Sequence, residues 1–124
     1  GDDILLGGAG EDEVLGRQGH DVLLGGDDAD RVRGDDGDDL IVGGNASNVN
    51  DATSDAALRA ILADWVTSGP AVPAGLGTLQ LDGVQDLLIG DQGADAFHFS
   101  MLPDLDDEDL VFDFLPGDGD TLLP

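Results

Sequence analysis

One feature restricts this chain more than any other: its first 44 residues repeat themselves every nine. Asp3, Asp12, Asp21, Asp30 and Asp39 stand nine apart, and Leu5, Val14, Leu23, Val32 and Ile41 follow each of them by two. Glycines keep the same period at Gly7-Gly8, Gly16, Gly25-Gly26, Gly34 and Gly43-Gly44, with a second column at Gly1, Gly10, Gly19 and Gly37. A flexible Gly/Asp linker does not hold apolar residues in phase with its glycines. Each unit therefore reads as one tight turn, for which glycine supplies the backbone freedom, followed by a short strand with a single inward apolar residue.

So little apolar material per repeat does not offset the ordering entropy of the chain. With no cysteine and only 4% aromatic residues, neither disulfides nor a large core can make up the difference, and bound metal is the remaining route. The charge agrees: 28 acidic residues against 4 basic ones give a formal net charge of −24, so the unliganded chain repels itself. Nucleic acid and anionic membranes are excluded as partners by the same charge, and the chain is read as carrying neither a signal peptide nor an apolar run of spanning length. Aspartates brought together from successive coils repel unless a hard cation sits among them, with carbonyls of the glycine turns completing its oxygen shell. Such oxygens suit Ca²⁺. Zn²⁺ would call for Cys or His, and Mg²⁺ fits an irregular carbonyl shell less well.

The nonapeptide from Gly7 to Leu15, Gly-Gly-Ala-Gly-Glu-Asp-Glu-Val-Leu, resembles the G-G-x-G-x-D-x-U-x unit of the repeats-in-toxin (RTX), or haemolysin-type calcium-binding, family. The likeness is strong from Gly1 to Val42 and looser from Asp86 to His98. It implies a mainly β fold, a right-handed parallel β-roll in which two nonapeptides make one coil and several Ca²⁺ ions sit between turns on the same edge. The ligand pairs it implies are Asp3 with Asp21, Asp12 with Asp30, and Asp21 with Asp39, followed by Asp30 with Asp86 and Asp39 with Asp95. Carbonyls of Gly8, Gly10, Gly19, Gly26 and Gly37 are the expected backbone ligands. Asp28 and Ala46 replace a glycine at the fourth position of the unit, and Arg17 and Asp35 at the second, so those turns are expected to be weaker.

In a two-repeat coil, odd repeats stack into one sheet and even repeats into the other, and the residues flanking each inward one point out. The odd sheet then presents Ile4, Leu6, Val22, Leu24, Leu40 and Val42, an apolar face that calls for a cover. The even sheet presents Glu13, Leu15, Arg31 and Arg33, as a solvated face does. A cover follows in the sequence: after Ser54-Asp55, a good N-cap pair, Leu58, Ile61, Leu62, Trp65 and Val66 fall on one helical stripe that Gly69 and Pro70 end. The chain reads as a single β-roll domain over 1–124, with regular repeats over 1–44 and an inserted amphipathic α-helix (about 55–66) within 45–81. Repeats resume over 82–99, and a Phe-rich C-terminal capping segment occupies 100–124, with Leu110 to Leu115 as a strand.

Catalysis has little support in the residues. His20 lies in a repeat turn and His98 on a strand flank, both reading as surface residues, and no nucleophile motif is present. One Trp and no Tyr leave no aromatic-lined cleft for glycosidase chemistry. The expectation is a non-enzymatic module of a secreted or cell-surface protein. The resemblance adds type I export as an unfolded chain and folding driven by Ca²⁺ outside the cell. Two purposes fit this: a stabilising appendage of an exported protein, or a self-assembling subunit of an extracellular fibre or surface layer. Homo-oligomers in the second case would form by end-to-end stacking, which the mid-repeat position of Gly1 weakly favours, or through the apolar odd sheet.

Overall fold

Successive repeats alternate between two sheets, because an eighteen-residue coil brings every second strand back over the one before it. The computed structural model describes residues 1–49, 53–68, 73–80, 84–98, 110–112 and 119–123. Among these, β1 (Ile4–Ala9), β3 (Val22–Asp27), β5 (Leu40–Val42), β9 (Ala96–His98) and β11 (Thr121–Leu123) form one parallel sheet in that order. Strands β2 (Glu13–Gln18), β4 (Arg31–Asp36), β8 (Leu87–Gln92) and β10 (Leu110–Phe112) form the other. The register follows the repeat: Leu5 lies against Leu23, Leu23 against Ile41 and Ile41 against Phe97, while Val14, Val32 and Leu88 align in the second sheet.

These aligned residues are the core between the sheets. Leu23, Val32, Ile41, Leu88 and Phe97 are fully buried, with Val14 nearly so and Leu5 and Val111 packed at the edge. One side chain per strand is a thin core, of the kind that needs further stabilisation.

A second cluster lies outside the odd sheet. Ile4, Leu6, Val22, Leu24, Leu40, Val42 and Ala96 on its outer face meet Leu58, Ile61, Leu62 and Trp65 of α1 (Asp55–Ser68), with Leu76 and Leu79 beside them. The helix starts where Ser54 Oγ accepts the Ala57 N–H, an N-cap bond that satisfies one of the open donors of the first turn. Trp65 is 3% exposed, and its burial contributes on the order of 2 to 3 kcal/mol. Val66, expected on the buried stripe, lies on its rim at 41% exposure, because the face pressed to the sheet is centred on Ile61 and Trp65.

The insertion leaves and re-enters the roll at one place. Antiparallel β6 (Asn45–Ala46) and β7 (Leu79–Gln80) pair its two ends, and a short 3-10 turn at Ala74–Leu76 packs beneath the helix. Ala46 and Val49, ahead of the helix, are buried in this cluster. Closing the insertion on itself lets β8 dock on β4 as if no residues intervened, with Arg31 against Leu87 and Arg33 against Ile89. In the C-terminal segment, β10 and β11 add one further strand to each sheet in the same parallel register.

The turns show how glycine substitutions are tolerated. Arg17, Asp28, Asp35 and Asp91 keep positive φ angles of 71 to 82° where the repeat favours glycine. Strand pairing holds the strained backbone at Arg17, Asp35 and Asp91 in place, and Asp28 accepts the Gly10 N–H through its side chain. Ala46 instead leaves the turn conformation for strand β6.

Candidate metal centre

Two columns of aspartates run up the two edges of the roll, one residue per coil. On the edge feeding the odd sheet, the Asp3 N–H donates to Asp21 Oδ1 (2.6 Å), Asp21 N–H to Asp39 Oδ1 (2.8 Å), Asp39 N–H to Asp95 Oδ1 (2.9 Å) and Asp95 N–H to Asp120 Oδ1 (2.9 Å). On the opposite edge the Asp12 N–H donates to Asp30 Oδ1 and the Asp30 N–H to Asp86 Oδ1, both at 2.8 Å. The carbonyls of Asp3, Asp12, Asp21, Asp30, Asp39 and Asp95 also accept from the next coil, as in Leu40 N–H to Asp21 O and Ala96 N–H to Asp39 O, both at 2.8 Å. The pairs that the spacing joins are thus all brought together, across the insertion as well as within the regular repeats.

In Asp21, Asp39 and Asp95 the bond uses Oδ1 and leaves Oδ2 buried beside it. Among the described residues Oδ2 of Asp12, Asp21, Asp39 and Asp95 is buried with no hydrogen-bond partner, an expensive arrangement for an ionised group. Glycine at the first position of each unit makes room for it. A Cβ on Gly16 would stand 2.7 Å from both Asp21 Oδ2 and the Gly34 carbonyl oxygen. One on Gly25 would stand 2.7 Å from Asp30 Oδ2 and against the Gly43 carbonyl, and one on Gly34 would collide with Asp39 Oδ2. Each cradle therefore sets a carboxylate oxygen beside a carbonyl oxygen of the following coil.

Electrostatics identifies what belongs there. Burial pushes the Asp21 carboxyl up to about 6 and those of Asp39 and Asp95 up to about 7 from the usual 3.8, and neighbouring aspartates add to the rise. The backbone N–H that each accepts pulls the other way without cancelling it. A hard divalent cation would offset the desolvation and the mutual repulsion together, and the all-oxygen donor set fits Ca²⁺. Among the described residues no three acidic, histidine or cysteine side chains converge, so such an ion takes much of its shell from the backbone.

The expected glycines Gly8, Gly10, Gly19, Gly26 and Gly37 have φ angles of 102 to 135°, which makes the turns possible. Their stacking is tight: a Cβ on Gly26 would meet the Gly8 carbonyl, and one on Gly37 the Gly19 carbonyl. Two groups of residues were missed. The first-position glycines Gly16, Gly25, Gly34 and Gly90 border the cradles directly, and their nine-residue column is visible in the sequence. Asp120 extends the ladder although it lies 25 residues beyond Asp95; the only sequence trace is the Asp-Thr-Leu triplet that mimics the start of a repeat strand.

The histidines stand apart from the cradles. His20 Nδ1 accepts the Asp38 N–H (3.0 Å) in an outer column that also joins the His20 N–H to Asp2 and the Ala94 N–H to Asp38. His98, expected at the surface, is 5% exposed because it follows Val42 in register on the covered side of the odd sheet, and desolvation lowers its pKa. No helix among the described residues is long and apolar enough to cross a membrane.

Comparison with known proteins yields one match. No curated protein and no solved structure is significantly similar to the chain. The model of the RTX calcium-binding nonapeptide repeat, in four copies, matches residues 1–23 and again 15–49, the stretch that holds Asp3, Asp12, Asp21, Asp30 and Asp39 of the ladder and the cradle glycines Gly16, Gly25 and Gly34. A stacked aspartate ladder with inward oxygens and a sequence match over the same coils give one result: the first 49 residues of this chain are RTX calcium-binding nonapeptide repeats.

Proposed function

We propose that this Ca²⁺-binding β-roll is the folding module of a secreted or cell-surface protein, compact only when Ca²⁺ is bound and stabilising the exported protein that carries it. The observation behind this reading is the set of buried Oδ2 atoms on Asp12, Asp21, Asp39 and Asp95, which have no hydrogen-bond partner among the described residues. A thin inner core and a net charge of −24 make the metal-free fold unfavourable, so metal binding and folding are one equilibrium. Export as an unfolded chain through a type I pathway follows naturally from such a switch. In this reading the coil is right-handed, β10 and β11 close its C-terminal end, residues 1–124 act as one unit, and the chain has no catalytic role.

The test is the Ca²⁺ midpoint of folding, read by far-ultraviolet circular dichroism. An extracellular folding module has a midpoint on the order of 10⁻⁴ to 10⁻³ M. A midpoint near 10⁻⁷ M would let the chain fold in a cell interior and contradict the reading. Assembly through the odd sheet receives no support, since Trp65 and its neighbours are buried within a single chain. End-to-end stacking is tested by light scattering in saturating Ca²⁺, where a stabilising appendage stays monomeric.

A further inference from the structure

Helix α1 does more than cover an apolar face. The Trp65 indole N–H donates to the Asp38 carbonyl at 2.9 Å. That carbonyl belongs to the peptide joining Asp38 to Asp39, and the N–H of the same peptide donates to Asp95 Oδ1 at 2.9 Å. The two bonds sit at opposite ends of one planar unit, so fixing one end fixes the other. A carbonyl that accepts a hydrogen bond also polarises its amide, strengthening the N–H as a donor. Asp38 is tied on its remaining sides by His20 Nδ1 and the Ala94 N–H. The line from helix to cradle is therefore short: indole, peptide, Asp95 carboxylate, and the Oδ2 that has no hydrogen-bond partner among the described residues.

We infer that Trp65 is a positioning residue for cation binding, orienting the Asp38–Asp39 peptide so that Asp95 presents its inward oxygen, and that docking of α1 thereby raises Ca²⁺ affinity at this level of the roll. The inference rests on the reading of the ladder as a Ca²⁺ site. It assigns the insertion a role in metal affinity that the nonapeptide pattern does not contain.

Trp65→Phe keeps an aromatic ring in the apolar cluster and removes the N–H. Its Ca²⁺ midpoint is expected to rise roughly threefold to tenfold, the loss of one hydrogen bond, while the helical signal in saturating Ca²⁺ is retained. Ile61→Val, which trims the same interface without touching the hydrogen bond, serves as the comparison. At matched loss of thermal stability it is expected to shift the midpoint by less than half as much. Equal shifts at matched stability would reduce Trp65 to a packing residue and overturn the inference. A second measurement needs no Trp65 variant. The chain has one Trp and no Tyr, so Tb³⁺ bound near Asp39 and Asp95 is sensitised by Trp65 on excitation near 295 nm, and Asp95→Asn is expected to lower this emission by half or more. Full emission from Asp95→Asn would place the sensitised ion elsewhere and also overturn it. Failure of the wild-type chain to respond to Ca²⁺ at all is a different result, and it would sink the folding-module reading itself.

Discussion

Replacing Asp39 separates the two jobs that the ladder gives each aspartate. Its Oδ1 accepts the Asp21 N–H at 2.8 Å, and its Oδ2 faces the Gly34 cradle. Asp39→Asn keeps an oxygen for the N–H but removes the charge; Asp39→Ala removes both. In Ca²⁺ each variant loses a ligand, and Ala additionally strands a buried N–H at a cost of about 1 to 3 kcal/mol. Since about 1.4 kcal/mol is tenfold in an equilibrium constant, the Ca²⁺ midpoint is expected to order wild type, Asn, Ala, with roughly tenfold or more between the two variants. In chelator the order of the first two reverses. Burial raises Asp39 to about 7, so an ionised carboxylate disfavours the metal-free fold and a neutral amide relieves it. The assay is folding by the osmolyte trimethylamine oxide in EDTA, followed by circular dichroism. Asp39→Asn is expected to fold at lower osmolyte than wild type. If the Asn variant is harder to fold in both conditions, the side chain is a structural hydrogen-bonding group and not a buried charge awaiting a cation.

Three other outcomes follow from the same geometry. Asp21 at about 6 and Asp39 and Asp95 at about 7 hold more protons folded than unfolded between pH 3.8 and those values; metal-free stability is therefore greatest in acid and lost as pH rises through that window. Osmolyte titrations in EDTA at pH 4.5 and pH 8 check the sign, with the higher midpoint expected at pH 8. Gly34→Ala places a Cβ against Asp39 Oδ2 and 3.1 Å from the Gly90 carbonyl, and calorimetry is expected to show fewer bound Ca²⁺ ions than in wild type. Trp65 emission is expected to be blue-shifted in Ca²⁺ and to move red in Val22→Asp, which sets a charge in the fully buried outer cluster beneath the helix.

Much of this was legible because the repeat has a fixed length. A nine-residue period with one apolar column forces Leu23, Val32 and Ile41 inward and leaves Val22, Leu24, Leu40 and Val42 as a face needing a cover. The recurrence of the period at Asp86 and Asp95 puts them back on the ladder despite 37 intervening residues between 45 and 81. What stayed hidden depends on contacts instead of spacing. Ala46 and Val49 are buried only because the ends of the insertion pair, and His98 because its neighbour Val42 lies under a cover. Strands β10 and β11 join the sheets through backbone hydrogen bonding that ignores the lost period. The division of the Asp21, Asp39 and Asp95 carboxylates into one bonded and one unbonded oxygen is set by a side-chain torsion, to which a pattern of residue types is blind.

The most direct test of the central claim is the far-ultraviolet circular dichroism of the chain in EDTA, compared with the same sample after Ca²⁺ is restored. Buried aspartates that need a cation give a largely disordered spectrum in chelator and recovery of β and helical signal with Ca²⁺. An unchanged, fully folded spectrum in EDTA at neutral pH would mean that the aspartate ladder stands without metal, and would contradict the account.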